Sequence, residues 1–297
     1  MPSPLHYLLQ QSVSNGGMVG LMNSADFILP LTDAGAGAVS VLVPKGTGPA
    51  TFTRATVAWT KLSTGLWRQV ASGVARSAYL PLNLAFSSSE YGGYLAEGAG
   101  IQLVTPTASI RDMTDASWVK GATMTAAKDA VGIDGVANSC TRLTAGAVAA
   151  TNTVLQTLVA AASSRTYSCW IRRISGSGPI SITQDGAAYT DITAQITPGA
   201  FFTQVQLNAS VLNASFGIKM DTAGDVIFVD FNQFEAGAFA TTPMDSAGAN
   251  RNADVLTYPF AGNASASAGS AYAELSTLLT VSPSGGTVAI ATTANIA

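Results

Sequence analysis

The chain has 297 residues, 47% of them hydrophobic and only 10% charged, with a formal net charge of −3. The roughly 25% charge of an ordinary soluble domain is missing. The fourteen Lys and Arg are scattered, which excludes a nucleic-acid-binding stripe, and no apolar run reaches the ~20 residues needed to span a bilayer. Ala, Ser, Thr and Gly make up the deficit, so the surface is solvated by hydroxyls and small side chains. That composition fits a member of a large assembly, or a secreted or virion-surface protein.

Residues 1–50 read as an N-terminal attachment arm. MPSPLHYLLQQ lacks the basic start and clean apolar core of a signal peptide. Leu5, Leu8 and Leu9 suit a docking turn. Phe27–Leu31 and Val39–Val43 are short extended runs with few local partners. The arm either packs on a neighbouring subunit or adds edge strands to the adjoining domain. Residues 51–104 read as a β-hairpin-rich connecting region, with Trp67 and Tyr79 as aromatic anchors. Tyr91 and Tyr94 flank Gly92-Gly93, where two rings suit either chain packing or stacking on a sugar.

Residues 105–245 carry strand candidates about every ten residues and no strand–helix alternation. That pattern predicts an all-β fold, an antiparallel β-sandwich of jelly-roll-like type. Candidates are Cys140–Leu143, 151–159, Thr166–Arg173, Ile180–Ile182, Phe201–Leu207, Phe216–Met220 and 225–233. The last two are expected to pair as a hairpin across Asp221–Gly224. Arg172 and Arg173 are expected at a solvated strand end. In the central stretch Gly224–Pro243, strict alternation sets Val226, Phe228, Asp230 and Asn232 against Ile227, Val229, Phe231 and Gln233. Trp170 alternates with Cys169, so one of the two is expected to face the core. Residues 246–297, poor in large apolar groups, read as a C-terminal β segment packing on the rest or on a neighbouring subunit.

Little catalytic chemistry is available. His6, the single histidine, lies in the arm, and no Ser-His-Asp, Cys-His, zinc or phosphate-loop pattern is present. Carboxylates at Asp225, Asp230, Glu235, Glu90 and Glu97 are the remaining route to glycoside cleavage, which needs two of them about 5–9 Å apart. Catalysis is not the expected reading, and no cofactor is expected. A structural Ca²⁺ is left open, with Asp129, Asp134, Asp230 and the pair Asp185 and Asp191 as candidate ligands. Trp118, Trp170 and Tyr189 join Tyr91 and Tyr94 as candidate stacking platforms for a sugar. Cys140 and Cys169 sit in apolar, alternating contexts that suit buried free thiols.

A series of motifs carries a resemblance. TFTRAT at 51–56 is followed by ARSAYLP at 75–81, YGGYLAEGAGIQLVTPTASIRD at 91–112 and GIDGVANSCTRLTA at 132–145. TYSCWIRRISGSGPISIT at 166–183, FVDFNQFEAGAFATTP at 228–243 and ANRNADVL at 249–256 complete it. In order and spacing these resemble a module of tailed-phage virion proteins found in tail, fibre and other appendage polypeptides. The resemblance implies a non-enzymatic virion structural protein, homo-oligomeric and trimeric if it belongs to a fibre or spike. Its contacts with other virion proteins would run through 1–50 and 246–297. It also implies a likeness of 105–245 to carbohydrate-binding jelly rolls, hence recognition of a host surface glycan as the alternative. Arg54, Glu97, Asp230, Glu235 and Arg251 are then structural positions, tying the flanks to the sandwich by ion pairs.

Overall fold

The computed structural model describes residues 51–62, 64–79, 92–196, 201–245 and 250–257. The expected arm at 1–50, Tyr91, Glu90 and most of 246–297 lie outside the described residues. In chain order the strands are β1 Thr51–Thr53, β2 Ala58–Lys61, β3 Trp67–Val70, β4 Arg76–Tyr79, β5 Gly92–Leu95 and β6 Gly100–Ile101. Then come β7 Val119–Lys120, β8 Thr125–Ala130, β9 Cys140–Thr144, β10 Thr153–Leu158, β11 Ser164–Ser175 and β12 Ile180–Thr183. The last are β13 Thr190–Asp191, β14 Thr203–Ser210, β15 Ala214–Met220, β16 Val226–Ala236, β17 Asn250–Arg251 and β18 Val255–Thr257. Three short 3₁₀ turns interrupt them, and the described residues contain no α-helix.

The chain divides into two compact units. In the described part of the first, β1 pairs with β18 and β4 with β5, each antiparallel. The second unit comprises Arg54–Val74 and Ala96–Asp254, so the hairpin β2–β3, expected in a separate connecting region, belongs with the sandwich.

Two five-stranded antiparallel sheets form that sandwich: sheet A in the order β14-β11-β16-β9-β8, and sheet B in the order β13-β12-β15-β10-β7. Most connections pass from one sheet to the other, so the apolar residues of successive strands meet face to face. Cys169, Ile171, Ile227 and Val229 of sheet A are fully buried, as are Val154, Ile180, Phe216 and Ile218 of sheet B. Phe216 sits at the centre, stacked on Phe234 at 4.2 Å between centroids, with Trp118 edge-on at 5.7 Å.

Two sequence expectations differ from the structure. Phe216–Met220 and the 225–233 strand do not form a hairpin: β15 pairs with β10 and β12, while β16 pairs with β11 and β9. Asp221–Gly224 is therefore an inter-sheet crossing. The strict alternation along β16 fails at Phe231, where φ is +43° and the register shifts between Trp170↔Asp230 and Ser168↔Gln233. The extra residue is a β-bulge. It reverses the phase, so Asn232 and Phe234 turn inward after Ile227 and Val229. Cys169 and Trp170 are both buried, because both faces of β11 are covered. Cys169 faces the sandwich interior. Trp170 faces an outer layer made by the β2–β3 hairpin, edge-on to Trp67 at 5.0 Å, while Trp59 meets Phe231 in the same layer at 4.9 Å.

Candidate functional site

The two outer faces of the sandwich differ. That of sheet A is covered by the hairpin and by an ionic cluster. Arg111 donates from Nε to Asp230 Oδ1 at 2.8 Å and from Nη2 to Oδ2 at 2.9 Å. Its Nη1 reaches Asp134 Oδ2 at 2.7 Å, and Nη2 also reaches Ser139 Oγ at 3.0 Å. Backbone N–H groups of Ile133 and Phe231 fill the remaining valences of the Asp230 carboxylate. The guanidinium carbon lies 4.4 Å from the Phe231 ring centroid, a cation–π contact. Every acceptor of Asp230 is occupied, so the group is bound into structure and holds no acid or base in reserve. Local sequence does not single out Arg111, because its partner lies 119 positions away.

The outer face of sheet B is the more open one, although Ser181 and Thr183 on it are buried. Register places Asp191, Ser181, Lys219 and Thr153 side by side across β13, β12, β15 and β10. One step along, Thr183, Gly217, Leu155 and Val119 form the next row, with the glycine at its middle. By alternation both rows point away from the interior, where Ile180, Ile182, Ile218 and Val154 are buried. Val119 is 67% exposed. The turn after β12 folds over one end of this face. Its Asp185 carboxylate accepts from the N–H groups of Ala187 and Ala188 at 2.8 and 2.7 Å. These bonds hold that carboxyl below the usual range.

Tyr189 completes the face. Its hydroxyl donates to Gly186 O at 3.2 Å, and the Lys219 ammonium lies 5.3 Å from its ring centroid. Lys219 is also paired with Asp221 at 2.7 Å. The ring is half-buried, and burial raises the phenol pKa. Fixed hydroxyls, one cation, carboxylates and an aromatic ring on a flat sheet can hydrogen-bond and stack on a polar, ring-shaped ligand. They offer no activated nucleophile.

The other predicted residues fall elsewhere. Trp118 is 1% exposed and donates its indole N–H to Ser109 O at 2.9 Å; it is a core ring and presents no face to a sugar. Trp170 is likewise closed off by Trp67. Tyr94 lies on β5, paired through the backbone with Ser77. Among the candidates whose side chains are described, Trp118, Trp170 and Tyr189, the last is the half-buried one.

Arg54, Glu97 and Arg251 make ion pairs, and Glu235 makes hydrogen bonds to neutral groups. Arg54 pairs with Asp254 at 2.6 Å and donates to the carbonyls of Ala71 and Val74. Arg251 pairs with Glu97, whose carboxylate also takes the Thr242 N–H at 2.9 Å. Glu235 accepts from Gln233 and from both N–H and hydroxyl of Thr241. Burial raises its pKa, opposed by those donors. Arg173 is not solvated as expected: it is buried against Asp225 at 3.0 Å.

The carboxylates weighed for calcium are engaged by protein groups as well. Asp129 is bound by Arg142, Asp134 and Asp230 by Arg111, and Asp191 caps the N–H of Thr193. No group of three or more His, Cys, Asp or Glu suited to a metal occurs among the described residues.

No family model matches the chain, and comparison with curated proteins gives no match. Among solved structures, the chain is similar to the CBM22-1 xylan-binding domain from Paenibacillus barcinonensis Xyn10C. The two are 14% identical, with 49% of this chain and 100% of that domain covered and a TM-score of 0.33. It is similar to the CBM22-1–GH10 modules of Clostridium thermocellum endo-1,4-β-D-xylanase 10B complexed with xylohexaose (14% identity, 46% of this chain, TM-score 0.31). It is also similar to the enzymatically active domain of bacteriophage CBA120 tailspike protein 4 (15% identity, 45% of this chain, TM-score 0.30). The chain spans 28% of that xylanase chain and 21% of that tailspike chain. These likenesses are distant and partial, and no residue role here derives from them.

Proposed function

We propose that the chain is a non-catalytic glycan-binding module whose ligand lies across the outer face of sheet B. The observation that carries this reading is the polar row Asp191–Ser181–Lys219–Thr153 beside the Tyr189 ring, in which Asp191 is exposed, Lys219 and Thr153 are half-buried and Ser181 is buried. A pyranose has an apolar face that suits an aromatic ring and an equatorial belt of hydroxyls that suits such a row. Polar groups placed by strands are held without further ordering cost. A glycan array, with xylohexaose among its neutral oligosaccharides, tests the reading. Retention of one linkage class supports it, and an array blank at millimolar ligand rejects it.

A second reading, a structural protein of a tailed-phage virion, is supported by the motif series over 51–258 and by the exposed apolar residues Leu66 and Phe201. An ideal Cβ on Gly65 would lie 3.6 Å from Phe201, and one on Gly135 would lie 3.2 Å from Leu66. Each of these exposed side chains lies beside a neighbouring loop and is suited to contact between copies in a homo-oligomer such as a trimer. Light scattering of the purified chain checks this: a strict monomer at all concentrations argues against it. The two readings are compatible in a virion appendage that binds host glycan.

A further inference from the structure

Lys120, on edge strand β7, is half-buried. Its ammonium points into the loop that precedes it and meets four backbone carbonyls: Trp118 O at 2.8 Å, Met113 O at 3.1 Å, Asp115 O at 3.2 Å and Thr114 O at 3.3 Å. An ammonium has three N–H donors. Four oxygens around it form a coordination shell, held by charge as much as by directed hydrogen bonds. No side-chain carboxylate takes part: that of Asp115 is used by the Ser117 N–H at 2.8 Å. The distances exceed the about 2.3–2.6 Å of calcium–oxygen contacts. A ring of neutral carbonyls at this spacing suits a large monovalent cation, as carbonyl rings do in a potassium filter.

The loop matters to the core. Trp118 packs on Phe216, and Ser117 Oγ accepts from the buried Gln156 amide at 2.9 Å. We infer that the carbonyls of Met113, Thr114, Asp115 and Trp118 form a monovalent-cation site that the chain fills from within with the Lys120 ammonium. Shortening that side chain opens the site to an ammonium-type ion from solution. The loop then draws its order from a tethered cation, and its carbonyls, of which that of Asp115 also accepts the Trp118 N–H at 3.1 Å, are the ligand set.

Thermal unfolding of the full chain tests this with Lys120→Ala in sodium buffer. The variant receives ethylammonium chloride or, at equal ionic strength, tetramethylammonium chloride, which is too bulky and lacks N–H donors. Lys120→Ala should melt several degrees lower, about 3–8 °C, and ethylammonium should restore at least half of the loss in a saturable way. The wild type should show no difference between the two salts. An unchanged Tm in Lys120→Ala, or equal responses of the variant to both salts, overturns the inference. If Lys120→Ala does not fold, the wild type decides alone. The Lys120 ammonium should give a persistent ¹⁵N–¹H signal near neutral pH, shielded from exchange. Exchange as fast as that of a solvated lysine overturns the inference.

Discussion

Arg111 grips Asp230 with two parallel N–H···O bonds, at 2.8 and 2.9 Å, and so joins the start of the sandwich to the bulge on its central strand. The Asp230 side chain is completely buried and that of Arg111 is 18% exposed. Removing Arg111 leaves the buried Asp230 carboxylate without its cation, whereas removing Asp230 leaves Arg111 paired with Asp134 alone. Arg111→Met should cost about 3–5 kcal/mol and Asp230→Leu somewhat less, because Asp134 still pairs with Arg111. The double replacement Arg111→Met with Asp230→Leu should cost clearly less than the sum of the two single changes. Urea unfolding of the four proteins measures the coupling.

Gly132 lies against this cluster. A Cβ there would collide with Ser139 Oγ, Asp230 Oδ2 and Arg111 Nη2. The obstacle is a fixed ion pair rather than a flexible tip, so Gly132→Ala should destabilise by about 3 kcal/mol or more. Chemical denaturation compares it with Gly224→Ala. There a Cβ meets nothing within 4 Å and only the positive φ of +81° opposes the change, so the expected loss is about 1 kcal/mol.

Glu235 gives a pH dependence of definite sign. Burial raises its pKa above the unfolded value of about 4.3. The folded chain therefore holds the proton more tightly between that value and the raised one. Stability from this group is fully present below the window and is lost as pH rises through it. Wild-type Tm should fall relative to Glu235→Gln as pH is raised from 4, and a relative rise would contradict the assignment.

Both cysteines are buried free thiols, in keeping with their apolar sequence context. Burial pushes Cys169 up to about 12 and Cys140 higher still. Neither forms thiolate at neutral pH. A thiol reagent at pH 8 should label neither in the folded chain and both after denaturation.

Most strands are legible in the sequence because period-two patterning survives wherever a strand lies between a core and a covering layer. The pairing of β15 with β10 is not legible. The four-residue Asp221–Gly224 link looks like a hairpin turn, and local sequence does not record that it crosses between sheets. The bulge at Phe231 is hidden for a related reason: one inserted residue looks like one more step of alternation until its partner strand is known. Trp170 reads as an exposed platform because the covering hairpin comes from residues over a hundred positions earlier. Lys219 carries no signal of its own, since an isolated lysine in an apolar strand means little before register sets it beside Ser181, Asp191 and Tyr189.

Glycan binding on sheet B is tested most directly by titrating oligosaccharides retained on the array into the wild type, Tyr189→Ala and Lys219→Ala. Both positions are partly exposed and outside the core, so each variant should keep the wild-type Tm within a few degrees. Each should lose at least about tenfold in affinity, equivalent to about 1.4 kcal/mol. Trp118→Ala, by contrast, should lose stability by about 3–5 kcal/mol. Wild-type affinity in both Tyr189→Ala and Lys219→Ala would contradict the account.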